Sequence, residues 1–276
     1  MSAPSPEPAG TPRRARIVAV ANQKGGVGKT TTAVNLATAL ADAKRRALLI
    51  DLDPQGNATT HLGLGPAQRR ISSYDLLVGR AAAEQAVQPS AIDGLDVLPA
   101  VVDLSAAEVE LAQDTARATR LAAALAPLGA RYDFVLIDCP PSLGVLTLNA
   151  LAAADGVLIP LQCEFFALEG LSLIVRTVDR VRRSSNPRLQ IEGIVLTMYD
   201  RRNNLSDQVA ADVRSFMGSR VFETVIPRNV RISEAPSHGQ PVQRYDVQCP
   251  GAIAHAHLAR EYLTRLDGRP NGRRAA

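Results

Sequence analysis

The sequence predicts an α/β fold, a mostly parallel twisted sheet flanked by helices, and three observations carry that prediction. Apolar runs of strand length alternate with segments of helical period from Arg16 to Leu266, the pattern of βαβ units. A glycine-rich stretch lies between the first apolar run and the first helical segment. The chain has 276 residues, 46% of them hydrophobic and 21% charged, enough to bury the core of one large domain.

The elements follow in order. Strands are expected at Ile17 to Ala21, Ala47 to Leu52, Gly94 to Leu98, Asp133 to Asp138, Gly156 to Leu161, Leu189 to Thr197 and Val221 to Ile226. Each is an apolar run too short for a helix and ends at a Gly, Asp or Pro signal or a polar loop. Helices are expected at Lys29 to Ala43, Asp103 to Leu128, Leu143 to Ala154, Leu168 to Arg183, Leu205 to Met217 and Ala252 to Leu266. Residues 1–14 begin with a Pro-rich run of low hydrophobicity and are read as a disordered tail. Residues 15–267 are read as a single domain and 268–276 as a loose basic tail.

The chemistry concentrates at residues 22–31, NQKGGVGKTT. Glycines between a strand and a helix let backbone N–H groups converge on phosphate oxygens, and the helix dipole adds to the attraction. The usual motif is GxxxxGK[ST]; Gln23 stands where its first glycine belongs, and Lys24 opens the loop KGGVGKT. Lys29 is placed to meet the β- and γ-phosphates of a nucleotide, and the Thr30 hydroxyl to meet Mg²⁺. Gly25, Gly26, Val27, Gly28 and Thr31 complete the cradle. Asp51 and Asp53 end the second strand and Asp138 ends the fourth, and carboxyl ends of parallel strands are where such sheets bind ligands.

Charge and cysteine usage narrow the function classes. Net charge is +4, and residues 176–276 carry 17 basic against 10 acidic side chains while residues 1–175 carry 14 against 17. Of 31 basic residues only Lys24, Lys29 and Lys44 are lysine. Cys139, Cys163 and Cys249 are odd in number and far apart, which leaves neither a disulfide framework nor a CxxC site. No apolar stretch reaches the roughly 18 residues of a membrane span. His255 and His257 fall about 200° apart on a helix, so no shared metal site is expected there. A cytoplasmic protein is expected.

KGGVGKTT, then LLIDLDPQGNAT at 48–59, FVLIDCPPS at 134–142 and VIPRNVRISEAPSHG at 225–239 together resemble the ParA/Soj family of chromosome and plasmid partition ATPases, which have a deviant Walker A P-loop. The resemblance implies an ATPase that uses ATP and Mg²⁺, becomes a homodimer on ATP binding, binds DNA without sequence preference and releases it when a ParB-type partner stimulates hydrolysis. It further implies nucleoid association. Residue by residue, it implies that Lys24 reaches the partner protomer's nucleotide and that Asp53 orients the attacking water. Asp51 and Asp138, with Thr30, attend the metal. Met198, Pro227, Arg228 and Asn229 receive the adenine, and Arg202 and Arg231 bind DNA. Arg176, Arg180 and Arg183 form a helical stripe read as a solvated face. Two alternatives share the fold. A membrane-associated cell-division-positioning ATPase needs an amphipathic C-terminal anchor, which Ala252 to Leu266 does not resemble. An iron–sulfur ATPase needs paired cluster cysteines, which the three here do not supply.

Overall fold

The computed structural model describes residues 14–268, so the two tails expected from the sequence lie outside the described residues except for Arg14 and Gly268. The chain runs β1 (Arg16–Val20), α1 (Lys29–Asp42), β2 (Ala47–Asp51), α2 (Asn57–His61), α3 (Ser73–Leu77), α4 (Ala83–Ala86), β3 (Gln88–Pro89) and β4 (Leu95–Leu98). It continues through α5 (Ala107–Glu110), α6 (Arg120–Leu125), β5 (Phe134–Asp138), α7 (Val145–Ala153), β6 (Gly156–Gln162), α8 (Ala167–Ser184) and β7 (Gln190–Thr197). Helices α9 (Asn204–Met217), α10 (Val230–Glu234), α11 (Val242–Tyr245) and α12 (Pro250–Asp267) close it.

The strands form one seven-stranded sheet in the order β3-β4-β2-β5-β1-β6-β7, parallel except for the short β3. Both faces are covered, and the period-2 alternation of each strand divides the core. Ile17, Ala19, Leu48, Ile50, Val135 and Ile137 point into a cluster shared with α6, α7, α8 and α9. Val18, Val20, Leu49 and Leu136 point into a second cluster shared with α1 and α12. In α8, Leu171, Ile174, Val178 and Val181 make the buried stripe, and Arg176, Arg180 and Arg183 face solvent as the periodicity predicts. Helix α12 packs its Leu258 and Tyr262 into the core, as the sequence reading expected.

Two expected elements differ. The helix expected at 103–128 breaks into a 3₁₀ turn at Val102–Ala106, α5, α6 and a second 3₁₀ turn at Ala126–Leu128. Asp114 accepts from the Ala116 amide at 2.9 Å, a local turn that competes with the helix, and Pro127 stops any continuation. The strand expected at Val221 to Ile226 forms only isolated bridges, Val221 to Ile194 and Pro227 to Tyr199. The Glu261 carboxylate takes the Glu223 and Thr224 amides, each at 2.9 Å, and so removes them from the ladder.

Candidate functional site

The topology brings three chemical segments to one rim. Residue Val20 of β1 pairs with Asp138 of β5, and Asp138 pairs with Asp51 of β2. Asp138 therefore sits between the strand that feeds the glycine-rich loop and the strand that ends in the Asp51–Asp53 pair. Chain order hides this adjacency, because β5 inserts between β1 and β2.

The loop from β1 is held in shape before any ligand is considered. Asn22 donates to the Pro160 carbonyl at 2.8 Å and accepts from the Lys24 amide at 3.1 Å. Val27 is buried, and its carbonyl accepts from the Thr197 hydroxyl at 2.9 Å. Gly28 caps α1 at φ 86°, a left-handed conformation that suits glycine, and no side chain caps that helix end. The first helical hydrogen bond runs from the Thr32 amide to the Gly28 carbonyl, so the amides ahead of it are free to meet an anion.

Two adjoining cavities meet at Gly28, Thr31 and Met198. One, of about 330 Å³, is walled by Gly25, Gly26, Lys29, Thr30 and Asp53. Gln55, Asn57 and Pro141, which the sequence reading did not single out, line it too. The other, of about 350 Å³, is bounded by Met198, Pro227, Arg228 and Asn229. Met198 holds φ at 50°, an uncommon angle for a side chain of this kind, at the point where the two cavities join. The first is lined by glycine backbone, an ammonium and a carboxylate, and the second partly by the apolar side chains of Met198, Ile226, Pro227, Val230 and Ile232.

Electrostatics concentrate in the first cavity. Lys29 is 7% exposed and its ammonium donates to the Lys24 carbonyl at 2.9 Å. Burial holds the Lys29 pKa below the usual lysine value, against the opposing pull of Asp138 and Asp53. Asp138 is fully buried and neither carboxylate oxygen has a geometric hydrogen bond. Burial raises its pKa well above the carboxylate range, the neighbouring Asp51 raises it further, and the Thr30 hydroxyl opposes both. An orphaned carboxylate beside a hydroxyl at a phosphate loop suits a divalent cation that keeps its waters and takes its remaining ligands from phosphates. Among the described residues no group of three or more His, Cys, Asp or Glu could hold a metal ion by itself.

Asp51 differs from its neighbour. Its carboxylate accepts from the Thr59 amide at 2.8 Å, the Thr59 hydroxyl at 2.6 Å and the Asp53 amide at 3.1 Å. Burial lifts its pKa to about 6 in spite of those bonds. Expected among the metal ligands, Asp51 instead has both oxygens committed to shaping the loop that carries Asp53. Asp53 is itself buried at the cavity wall and accepts from the Gln55 amide at 3.0 Å. Thr59 was absent from the sequence reading, although its place in DPQGNAT was the available signal.

The remaining predicted residues lie outside the cavities. Lys24 is half-exposed and ion-paired with Glu164 at the end of β6, a partner 140 positions away that no spacing rule reveals. Arg202 is almost fully exposed and forms a two-point pair with Asp200, at 3.0 and 2.8 Å. Arg231 in α10 pairs with Glu234 at 2.9 Å and Asp246 at 3.4 Å. Cys139, Cys163 and Cys249 are free and buried, and burial beside Asp138 raises the Cys139 pKa, which keeps that thiol protonated.

Residues 15–191 match a family model described as an AAA domain. The chain is 60% identical over 252 residues to the chromosome partitioning protein ParA of Caulobacter vibrioides, covering 91% of this chain and 94% of that protein. The chain belongs to the ParA/Soj family of partition ATPases. It is 50% identical over 246 residues to the Soj protein of Bacillus subtilis, a sporulation initiation inhibitor, covering 89% and 97% of the two chains. Among solved structures, cobyrinic acid a,c-diamide synthase from Mycobacterium smegmatis with bound ADP and magnesium is similar at a TM-score of 0.81 and 39% identity, over 93% of this chain and 97% of that one. ParA/Soj membership and the P-loop geometry together make this chain an ATPase.

Proposed function

We propose that this chain is a DNA-segregation ATPase that takes ATP with Mg²⁺, dimerises on it, binds DNA without sequence preference and lets go when a ParB-type partner stimulates hydrolysis. Residues 15–267 act as one unit, in the cytoplasm and on the nucleoid. Among the described residues no helix is long and apolar enough to cross a membrane. The observation that carries the reading is the buried, unbonded Asp138 carboxylate facing Thr30 at the P-loop, with Asp53 on the wall of the same cavity.

In this reading the backbone amides of Gly25, Gly26, Val27, Gly28, Thr30 and Thr31 hold the phosphates, and Lys29 supplies the local counter-charge. Thr30 and Asp138 hold the Mg²⁺, directly or through its waters. When bound, the ion offsets the negative charge of the transferring phosphoryl group. Asp53 orients the attacking water, Asp51 positions Asp53, and Lys24 leaves Glu164 to reach the partner protomer's phosphates. Met198, Pro227, Arg228 and Asn229 receive the adenine. Arg202 and Arg231 exchange their carboxylate partners for DNA phosphates.

The test is ATPase activity with and without duplex DNA and a ParB-type partner, on the unmodified chain and on Lys24→Ala. Turnover that rises with partner and DNA in the unmodified chain alone supports the reading. Turnover indifferent to both additions overturns the segregation role.

A further inference from the structure

The floor of the sheet, at the amino ends of the parallel strands, carries a cavity that the ATPase reading does not use. It holds about 260 Å³ where the ends of α6 and α7 stand against the first residues of β1 and β5. Ile17, Leu125, Leu128 and Val135 form its buried apolar wall. Six of its twelve lining residues are alanine or glycine, Ala126, Gly129 and Ala152 among them, and side chains this small leave the space between helix and sheet unfilled. Protein interiors seldom keep an apolar space of this size empty, because the atoms around it lose their packing partners.

Only two of the lining residues are charged, and both are arginines, Arg14 and Arg188. Arg188 is exposed, and its guanidinium forms no ion pair among the described residues. Arg14 reaches one oxygen of Asp155 at 3.6 Å, while the other oxygen accepts from the Ile17 amide at 2.9 Å, so that carboxylate is committed to the strand. The C-terminal end of α7 would ordinarily set a partial negative charge here. Asn186 offsets it by donating to the Leu151 and Ala154 carbonyls at 2.9 and 2.6 Å. The same asparagine accepts from the Arg188 amide at 3.3 Å and so holds that residue at the rim.

We propose that this cavity binds a carboxylate that carries an unbranched alkyl chain, with the chain against the apolar wall and the carboxylate between Arg14 and Arg188. The fork of a guanidinium matches a carboxylate in two hydrogen bonds, and an apolar pocket with a few polar groups at one end fixes its ligand's direction. A wholly polar anion would leave the wall unfilled, and a neutral hydrocarbon would leave Arg188 unpaired. The nucleotide site lies elsewhere. Strand β1 runs five residues from Arg16 at the floor to Val20 beside the glycine-rich loop, which sets the two sites roughly 15 Å apart.

The experiment is calorimetric titration of the full chain, without nucleotide and below the micelle concentration, with hexanoate, octanoate and decanoate, and with octanol and acetate for comparison. The carboxylates should bind at one site per chain, each added methylene strengthening binding by roughly three- to fourfold. Acetate should show no binding, and octanol should bind at least about tenfold more weakly than octanoate. Arg188→Gln alters an exposed side chain, so the fold is not at stake, and it should weaken octanoate by about tenfold while leaving octanol unchanged. Arg260→Gln, which removes a positive charge from an exposed position of α12, should match the parent. Ala152→Leu adds bulk to the cavity wall and should weaken octanoate and octanol alike. Octanoate should leave a fluorescent ATP analogue in place. Displacement of that analogue would put the ligand in the cavity at Met198 and overturn the proposal. Equal affinity for octanoate and octanol overturns it too, as does an Arg188→Gln chain that behaves like Arg260→Gln or an Ala152→Leu chain that binds as tightly as the parent. The absence of saturable binding also overturns it, including the case in which residues 1–13 of the chain take the cavity themselves.

Discussion

Lys29 and Asp53 line the same cavity and make separable demands on it. Lys29 is buried among carboxylates at the start of α1, where burial alone would favour its neutral form. A bound polyphosphate restores the partner charge. Lys29→Ala should therefore weaken nucleotide binding by roughly 100-fold or more, since charge-assisted bonds to several phosphate oxygens are lost together. Titration with a fluorescent nucleotide checks it, and near-normal affinity would end the P-loop assignment. Asp53 acts on Lys29 only as one of the neighbouring negative charges. Asp53→Ala should keep ATP affinity within about threefold and lower turnover by roughly 10²–10⁴-fold, the range of a lost proton-handling group. Single-turnover hydrolysis distinguishes the two. At this scale the sequence was most legible where neighbours in the chain act together, as in residues 24–31. It was silent where partners are remote, as with Lys24 and Glu164, or where one carboxylate of a pair serves structure, as Asp51 serves Thr59.

Elements explain which expectations held. Strands β1, β2, β5, β6 and β7 were readable because a parallel strand covered on both faces is a continuous apolar run. The segment at 221–226 has the same run, yet a carboxylate 38 residues beyond Glu223 takes the amides it needed, which no local pattern encodes. Likewise the contact between α2 and the turn before α11 depends on two distant glycines. Gly63 and Gly239 hold φ at 79° and 62°, and a Cβ on Gly239 would stand 2.9 Å from the Gly63 Cα. Gly239→Ala should cost about 2 kcal/mol from backbone strain and forced separation, read as a lower urea midpoint. An unchanged midpoint would show that the contact gives way freely. Helix α10 carries the other prediction for this scale. Arg231 must leave Glu234 and Asp246 to meet a phosphate, so Arg231→Ala should weaken ATP-dependent DNA binding for every sequence tested. The slope of log affinity against log salt should become shallower by about 0.9 per lost contact, with basal ATPase unchanged. Arg202→Ala should act in the same direction, and a wild-type slope in the double variant would move the DNA surface elsewhere.

Across the whole molecule, two buried histidines connect distant parts of the chain and give its stability a direction with pH. His61 ends α2, just beyond the Asp53 loop, and His255 lies in α12 with its Nδ1 2.8 Å from the Gly251 carbonyl. Burial lowers each pKa to about 4, and His255 lowers that of His61 further. From the ordinary value of 6.5 down to about 4, the unfolded chain takes up protons that the native chain refuses. The stabilisation is thus complete above pH 6.5, falls as pH drops through that window, and levels off below about 4. Asp51 works the other way, because its native pKa of about 6 lies above the usual 3.8, and the native state gains protons first as pH falls below 6. The raised pKa of Asp138 acts with Asp51. The two carboxyl groups therefore oppose the histidines, with Asp51 doing so once pH falls below about 6. His255→Gln isolates the histidine contribution, since an amide can still donate to the Gly251 carbonyl without titrating. Its loss of stability between pH 7 and pH 5, measured by urea unfolding without nucleotide, should be smaller than that of the unmodified chain by about 2 kcal/mol, which is 1.36 kcal/mol per pH unit from 6.5 to 5. Parallel pH profiles for the two chains would mean that His255 takes its proton in the native state as readily as in the unfolded one.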